Sequence, residues 1–168
     1  INKWKTQFIL PALLVGSIIP DIEVIPLYYF TNGKIDRLIF HSIIGAITIG
    51  SLLTIILVMI FYPILVSFIF KIRISEIKQK CRFSTLLIIS SIIGNLSHVI
   101  IDATSHEYNP LFYPLSSESI NFFRISDNLV FDYQIITVIL AILFLLILFS
   151  SLRKGLKGFW KRMLLGPI

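Results

Sequence analysis

Three histidines and a handful of acidic side chains carry most of the chemistry available to this chain. His98 and Asp102 stand four residues apart, the spacing that puts two side chains on one face of a helix, and Asn95 lies three residues earlier on the same stripe. His41 and Asp21 lie far upstream. Two imidazoles and two carboxylates are the borderline and hard donors that suit zinc or a similar divalent ion. Such an ion lowers the pKa of a bound water to about 7 and makes hydroxide available for hydrolysis. Asp21, His41, His98 and Asp102 are therefore the candidate metal ligands, with Glu23, Asp36 and His106 as additional ones. Arg37 is a planar bidentate donor for an anionic substrate group or for Asp36. Plainer uses stand beside these. His98 and Asp102 can satisfy each other within one helix, Asp21 can cap a turn, and His41 can sit at an interface with its polar edge in water. Glu107, Glu118, Asp127 and Asp132 read as caps or solvated loop residues.

These groups are set in a chain of 168 residues that is 56% apolar and only 14% charged, with a mean hydropathy of +0.89. Soluble domains carry about 25% charge, so water is not the only solvent here. Intrinsic disorder is excluded by the apolar content. Cys81 is the single cysteine, which excludes an intrachain disulfide framework and a cysteine zinc cluster. The net charge of +6 does not point to nucleic acid, because the basic residues cluster in short segments beside long uncharged runs.

A transmembrane helix needs about 20 mostly apolar residues. Leu38 to Phe61 meets that requirement and can continue past Pro63, where a kink or break is expected. Ser84 to Thr104 and Leu129 to Leu152 meet it as well. Phe8 to Pro20 is too short to span unaided, and the chain begins at Ile1 rather than Met. Upstream residues, including part of a first helix, are therefore expected to precede it. The expectation is an all-α polytopic membrane bundle forming one domain over residues 1–168, with three clear spans and a short or partial N-terminal one. Lys71, Arg73, Lys78, Lys80 and Arg82 cluster after the first long span, and Arg153, Lys154, Lys157, Lys161 and Arg162 follow the last. By the positive-inside rule both clusters are cytoplasmic, with Lys3 and Lys5 on the same side. The loops 20–37 and 105–128 are then outside a plasma membrane. This alternation places Asp21, His41, His98 and Asp102 at the outer ends of three neighbouring elements, where they would share one outward-facing pocket.

Residues 153–165 alternate basic side chains with Leu156, Phe159, Trp160, Met163 and Leu164. That pattern predicts a helix lying in the cytoplasmic interface, as a topology anchor or as a lipid or partner site. Tyr108, Phe112, Tyr113, Phe122 and Phe123 make the loop 108–123 aromatic, as in an interfacial belt or a lid over the pocket.

Three stretches carry a family resemblance. Ile19-Pro20-Asp21-Ile22-Glu23, Asp36-Arg37-Leu38-Ile39-Phe40-His41-Ser42, and Gly94-Asn95-Leu96-Ser97-His98-Val99-Ile100-Ile101-Asp102 with its downstream Asn109–Pro114 resemble the motifs of membrane-bound metal-dependent hydrolases of the YdjM or DUF457 type and their archaeal DUF4184-like relatives. The resemblance covers roughly residues 16–115. It departs at Asp36, where the family has His, at Phe40, where it has Thr, and in the lack of any His before His41. It implies a divalent-metal hydrolase embedded in the lipid bilayer but no known substrate; phosphoesters or lipid head groups are the substrate class expected here for an outward-facing His/Asp site. The rival expectation is a non-enzymatic accessory subunit of a larger membrane complex, with other membrane subunits as partners and the polar residues as structural ties.

Overall fold

The computed structural model describes residues 8–120 and 125–166; Lys3, Lys5, Phe122 and Phe123 lie outside them. Among the described residues every regular element is helical: α1 (Leu10–Gly16), α2 (Val24–Phe30), α3 (Ile43–Phe70), α4 (Ile74–Lys80), α5 (Thr85–Ser105), α6 (Leu129–Arg153) and α7 (Phe159–Leu165). Four stretches have the length and apolar composition to cross a membrane: Leu10–Phe30, Ile43–Phe70, Thr85–Ser105 and Leu129–Arg153. The protein is a helical membrane bundle.

Two boundaries differ from the sequence expectation for physical reasons. The N-terminal apolar segment does not stop at Pro20. Proline lacks an N–H but suits the first turn of a helix, and here Ile19–Glu23 forms a 3-10 turn that joins α1 to α2. The span so formed is 21 residues long. The next helix begins at Ile43 rather than Leu38, and it passes Pro63, which is buried in its interior, to reach Phe70.

Small residues let the elements meet closely. An alanine Cβ at Gly94 of α5 would fall 2.8 Å from the Leu13 carbonyl oxygen of α1, so only glycine admits that approach. Ile9 N donates to Ser90 Oγ at 2.9 Å, and Asn95 Nδ2 donates to Thr54 Oγ1 at 2.9 Å, tying α5 to α1 and α3. Asn95 thus belongs to the packing of the bundle and not to the His98 site. α6 is the most apolar helix and the least covered; Asp132 and Ser151 are its buried residues. Ser126 Oγ donates to Asp132 Oδ1 at 2.6 Å, which makes Asp132 a buried tie at the helix start.

The C-terminal segment is not one continuous interfacial helix. Gly155 and Gly158 take positive φ of 87° and 72°, conformations that favour glycine, and turn the chain back between α6 and α7. Arg162 then caps carbonyls at the end of α6, Nη2 donating to Ser151 O at 3.0 Å. Tyr62 Oη donates to Leu164 O at 2.7 Å, the Trp160 ring lies 4.8 Å from Phe70, and Leu165 is buried with Ala12 of α1. Lys161 pairs with Glu76, so the two basic segments meet at one end of the bundle. Cys81 is buried there beside Ile77 and Leu87, and burial pushes its thiol pKa up to about 12. The thiolate is the reactive form. Cys81 is accordingly expected to resist maleimide at pH 8 in the folded protein and to react fully in SDS, as read by intact-mass analysis.

Candidate metal centre

The site sits at the opposite end from the basic segments and is assembled from three pieces of chain. The first is the 3-10 turn Ile19–Glu23, which points Asp21 outward and buries Glu23. The second is the segment before α3. Leu38 N, Phe40 N and His41 N donate to the Glu23 carboxylate at 2.8, 3.0 and 3.1 Å, so a buried acid organises the turn that carries His41. Ser42 caps α3, its Oγ accepting from Gly45 N at 2.9 Å, and residues Ala46–Gly50 widen into a π turn. The third piece is the end of α5, which presents His98 and Asp102 one turn apart. Ile43 N donates to Leu111 O at 2.9 Å, fastening the following loop over the start of α3.

Each histidine is held by one ring nitrogen. His41 Nδ1 lies 2.9 Å from Glu23 Oε1, and His98 Nδ1 lies 2.7 Å from the Ser17 carbonyl. A carboxylate and a carbonyl only accept, so both Nδ1 atoms carry a proton, and in the neutral ring each Nε2 is left with a lone pair. These two Nε2 atoms are buried and have no hydrogen-bond partner. They face the same two carboxylates. His41 Nε2 is 3.4 Å from Asp102 Oδ2 and 3.8 Å from Asp21 Oδ1; His98 Nε2 is 3.5 Å and 3.4 Å from the same atoms. The ligand atoms of Asp21, His41, His98 and Asp102 all lie within 4.8 Å of one another. Four donors at that separation can hold a divalent metal ion.

The surroundings of the four residues are uneven. The His41 side chain is 2% exposed whereas that of Asp21 is 57% exposed, so the cluster opens to its surroundings on the Asp21 side. Burial works against a charged His41 ring, but the carboxylates of Asp102 and Glu23 outweigh it and hold its pKa above the ordinary value. Arg37 Nη1 donates to Asp36 Oδ2 at 2.7 Å and its Nε lies 3.4 Å from Asp102 Oδ2. Asp36 therefore occupies Arg37 and stands outside the cluster. His106 is peripheral, with Nδ1 3.7 Å from Asp102 Oδ2. Glu23 serves behind His41 as the residue that orients the ring, the outer-layer carboxylate common around metal-bound imidazole.

A family model for a domain of unknown function, DUF4184, matches residues 1–160. The chain belongs to the DUF4184 family. No curated protein and no solved structure matches it. In this DUF4184 member the i, i+4 spacing of His98 and Asp102 does not make a private pair: at 3.5 Å both atoms turn instead toward a point shared with His41 and Asp21. Sequence reasoning missed the Ser17 carbonyl and the orienting role of Glu23. No residue-type pattern marks a carbonyl, and only the position of Glu23 two residues after Asp21 tied it to the site.

The orienting role is directly testable. Glu23→Gln keeps the shape of the side chain but removes the charge that three backbone N–H groups and the His41 ring share. Metal affinity is expected to fall about 10–100-fold, the usual cost of losing such a partner, with helix content unchanged by circular dichroism. Unaltered affinity, measured by competition with a chelating dye, removes Glu23 from the site.

Proposed function

We propose that the protein is a membrane-embedded, divalent-metal-dependent hydrolase whose His/Asp site faces outward and acts on phosphoesters or lipid head groups. The observation that carries this reading is the pair of buried, unpartnered Nε2 atoms aimed at two carboxylates, each with its Nδ1 anchored from behind. Leaving such atoms unsatisfied costs about 1–3 kcal/mol each, and a cation offsets that cost. Zinc is the favoured ion. Bonds of about 2.0–2.1 Å in a tetrahedral site put ligand atoms about 3.3–3.4 Å apart. The four N···O separations are 3.4–3.8 Å and the whole set lies within 4.8 Å, so small side-chain movements would close it on such an ion. The resemblance of the three motif stretches to YdjM and DUF457 hydrolases supports the same class.

When bound, the ion supplies Lewis acidity and brings a water's pKa down to near 7. His41, His98 and Asp102 form the buried part of the holding set, and Asp21 closes it at the open side. In hydrolysis the water oxygen bonds to phosphorus, the ester P–O bond breaks, and the proton lost by water leaves with the alcohol. Asp21, the exposed carboxylate of the set, would be the group available to carry the proton. Arg37, braced by Asp36, steadies Asp102 and presents its guanidinium edge to an anionic group.

Two measurements test this reading. Protein purified without chelators is expected to hold about one equivalent of divalent metal by elemental analysis. A metal-free wild type retires the hydrolase reading and leaves the accessory-subunit reading in front. For sidedness, a cysteine at Ser117, an exposed loop position, should react with an impermeant thiol reagent added to intact cells, and one at exposed Gln79 should not. Cys81 is buried and cannot serve as the inside reporter. Reversed labelling places the site in the cytoplasm.

A further inference from the structure

Beside the metal centre lies an apolar pocket of about 370 Å³ between α2 and the segment before α3, lined chiefly by Ile22, Leu27, Phe30, Leu38, Phe40 and Tyr113. Its volume lies within the range of small-molecule sites, about 300–1,000 Å³. Glu23 also borders it, but that carboxylate is taken up by Leu38 N, Phe40 N and the His41 backbone and ring. The pocket thus offers a ligand hydrocarbon contact and little else.

Its position is what gives it meaning. Ile22 follows Asp21 and Phe40 precedes His41, and neighbouring Cα atoms are about 3.8 Å apart. Two residues on the pocket wall are therefore one step along the chain from two metal-centre residues. α2 has no buried residue and exposes Ile25, Tyr28, Tyr29 and Phe30, an aromatic surface of the kind enriched where lipid heads meet tails. A water-soluble phosphoester has no use for such a slot. An amphiphile fits both halves, with its phosphate at the metal centre and its chain in the pocket.

We infer that this pocket is a chain-binding subsite, and that the substrate is an amphiphilic phosphoester whose hydrocarbon chain lies between α2 and the Leu38–Phe40 segment. This rests on the hydrolase reading for the identity of the head, whereas the slot itself is independent of metal. Tyr113 closes one side of the slot, which gives that residue of the aromatic loop a place at the site.

The experiment uses dodecyl phosphate carrying a photoreactive diazirine in its chain, with the protein held in amphipol so that no detergent tail competes. Labelling is expected to be saturable in metal-free and metal-loaded protein, to map to peptides containing Leu27, Leu38, Phe40 and Tyr113, and to be displaced by excess dodecyl phosphate but not by inorganic phosphate. Leu27→Trp and Ile39→Trp, the second at a further residue that lines the slot between Leu38 and Phe40, each fill it from a different wall and should lower labelling at least tenfold, while metal content stays at the wild-type level. Non-saturable labelling spread over the exposed faces of α3 and α6 overturns the inference, as does saturable labelling that neither tryptophan reduces. The two readings fail separately. A wild type with no metal but saturable labelling ends the hydrolase reading and keeps the slot, whereas one equivalent of metal with non-saturable labelling does the reverse.

Discussion

In His41→Ala and in His98→Ala, bound divalent metal is expected to weaken by more than about 100-fold, although the two residues lie on different helices. Loss of an outer partner alone costs about 10–100-fold, and loss of a ligand opens a coordination position as well. Asp102→Asn should behave like the histidine variants, because its Oδ2 faces both Nε2 atoms at 3.4 and 3.5 Å. Asp21→Asn should lose less, since its side chain is the exposed member of the set. The double variant of His41 and His98 should be little worse than either single one, as expected for residues that act as a unit. The raised pKa of His41 sets the direction with pH. A cation must displace the proton that Asp102 and Glu23 favour, so uptake weakens as pH falls and releases protons when it occurs. Elemental analysis after identical metal exposure, and calorimetry in two buffers of different ionisation enthalpy, check both points. If His41→Ala leaves metal content untouched, His98 and Asp102 are a structural pair and the shared site is wrong.

Gly45→Ala is expected to be the most damaging single methyl group in the chain. A Cβ there would lie 1.6 Å from the Ile39 carbonyl oxygen and 2.6 Å from its carbon. Both atoms are backbone, held in place by the flanking Leu38 and Phe40 N–H bonds to Glu23, so no rotamer change relieves the clash. Overpacking usually costs about 1–3 kcal/mol, and this site should exceed that range. The displaced segment carries His41, so metal should be lost together with stability. Gly50→Ala provides the contrast. Its Cβ would meet Asn95 Oδ1 at 2.6 Å, the end of a side chain that can shift at the cost of the Thr54 bond. A smaller loss, within about 1–3 kcal/mol, and retained metal are expected. Thermal melts of the two variants with and without metal separate these outcomes. Equal melting of Gly45→Ala and wild type sinks the account of the turn.

Much of the site was legible because its logic is periodic. His98 and Asp102 share a helix face by spacing alone, and alternation of spans brings the ends carrying Asp21 and His41 to the same side as those two. The spans of α5 and α6 were legible for the same reason: Thr85–Ser105 and Leu129–Arg153 nearly coincide with the uncharged runs. What escaped depends on contacts between distant residues. Pro20 reads as a stop, yet the 3-10 turn beneath it is stabilised by Glu23 reaching Leu38, Phe40 and His41. Residues 153–165 read as one amphipathic helix, but Gly155 and Gly158 reverse the chain so that Leu165 packs on α1. Asn95 lies on the His98 stripe, yet Thr54 on another helix claims its side chain. In each case a tertiary partner outweighed the local pattern.

The burial of Leu165 with Ala12 joins the first helix to the last, and the Tyr62–Leu164 hydrogen bond fastens α3 to the same segment. A ribosome emits α1 some 150 residues before α7. During synthesis, at about 5–20 residues per second, Ala12 waits roughly 8–30 seconds for Leu165, while α3, α5 and α6 enter the bilayer one after another. Until α7 emerges, the Leu10–Ala12 end of α1, the end away from the Asp21 turn, lacks the cover that Leu165 supplies. The metal centre and the closing clasp stand at opposite ends of the same short helix, so nascent chains arrested before residue 159 should insert normally yet hold metal poorly.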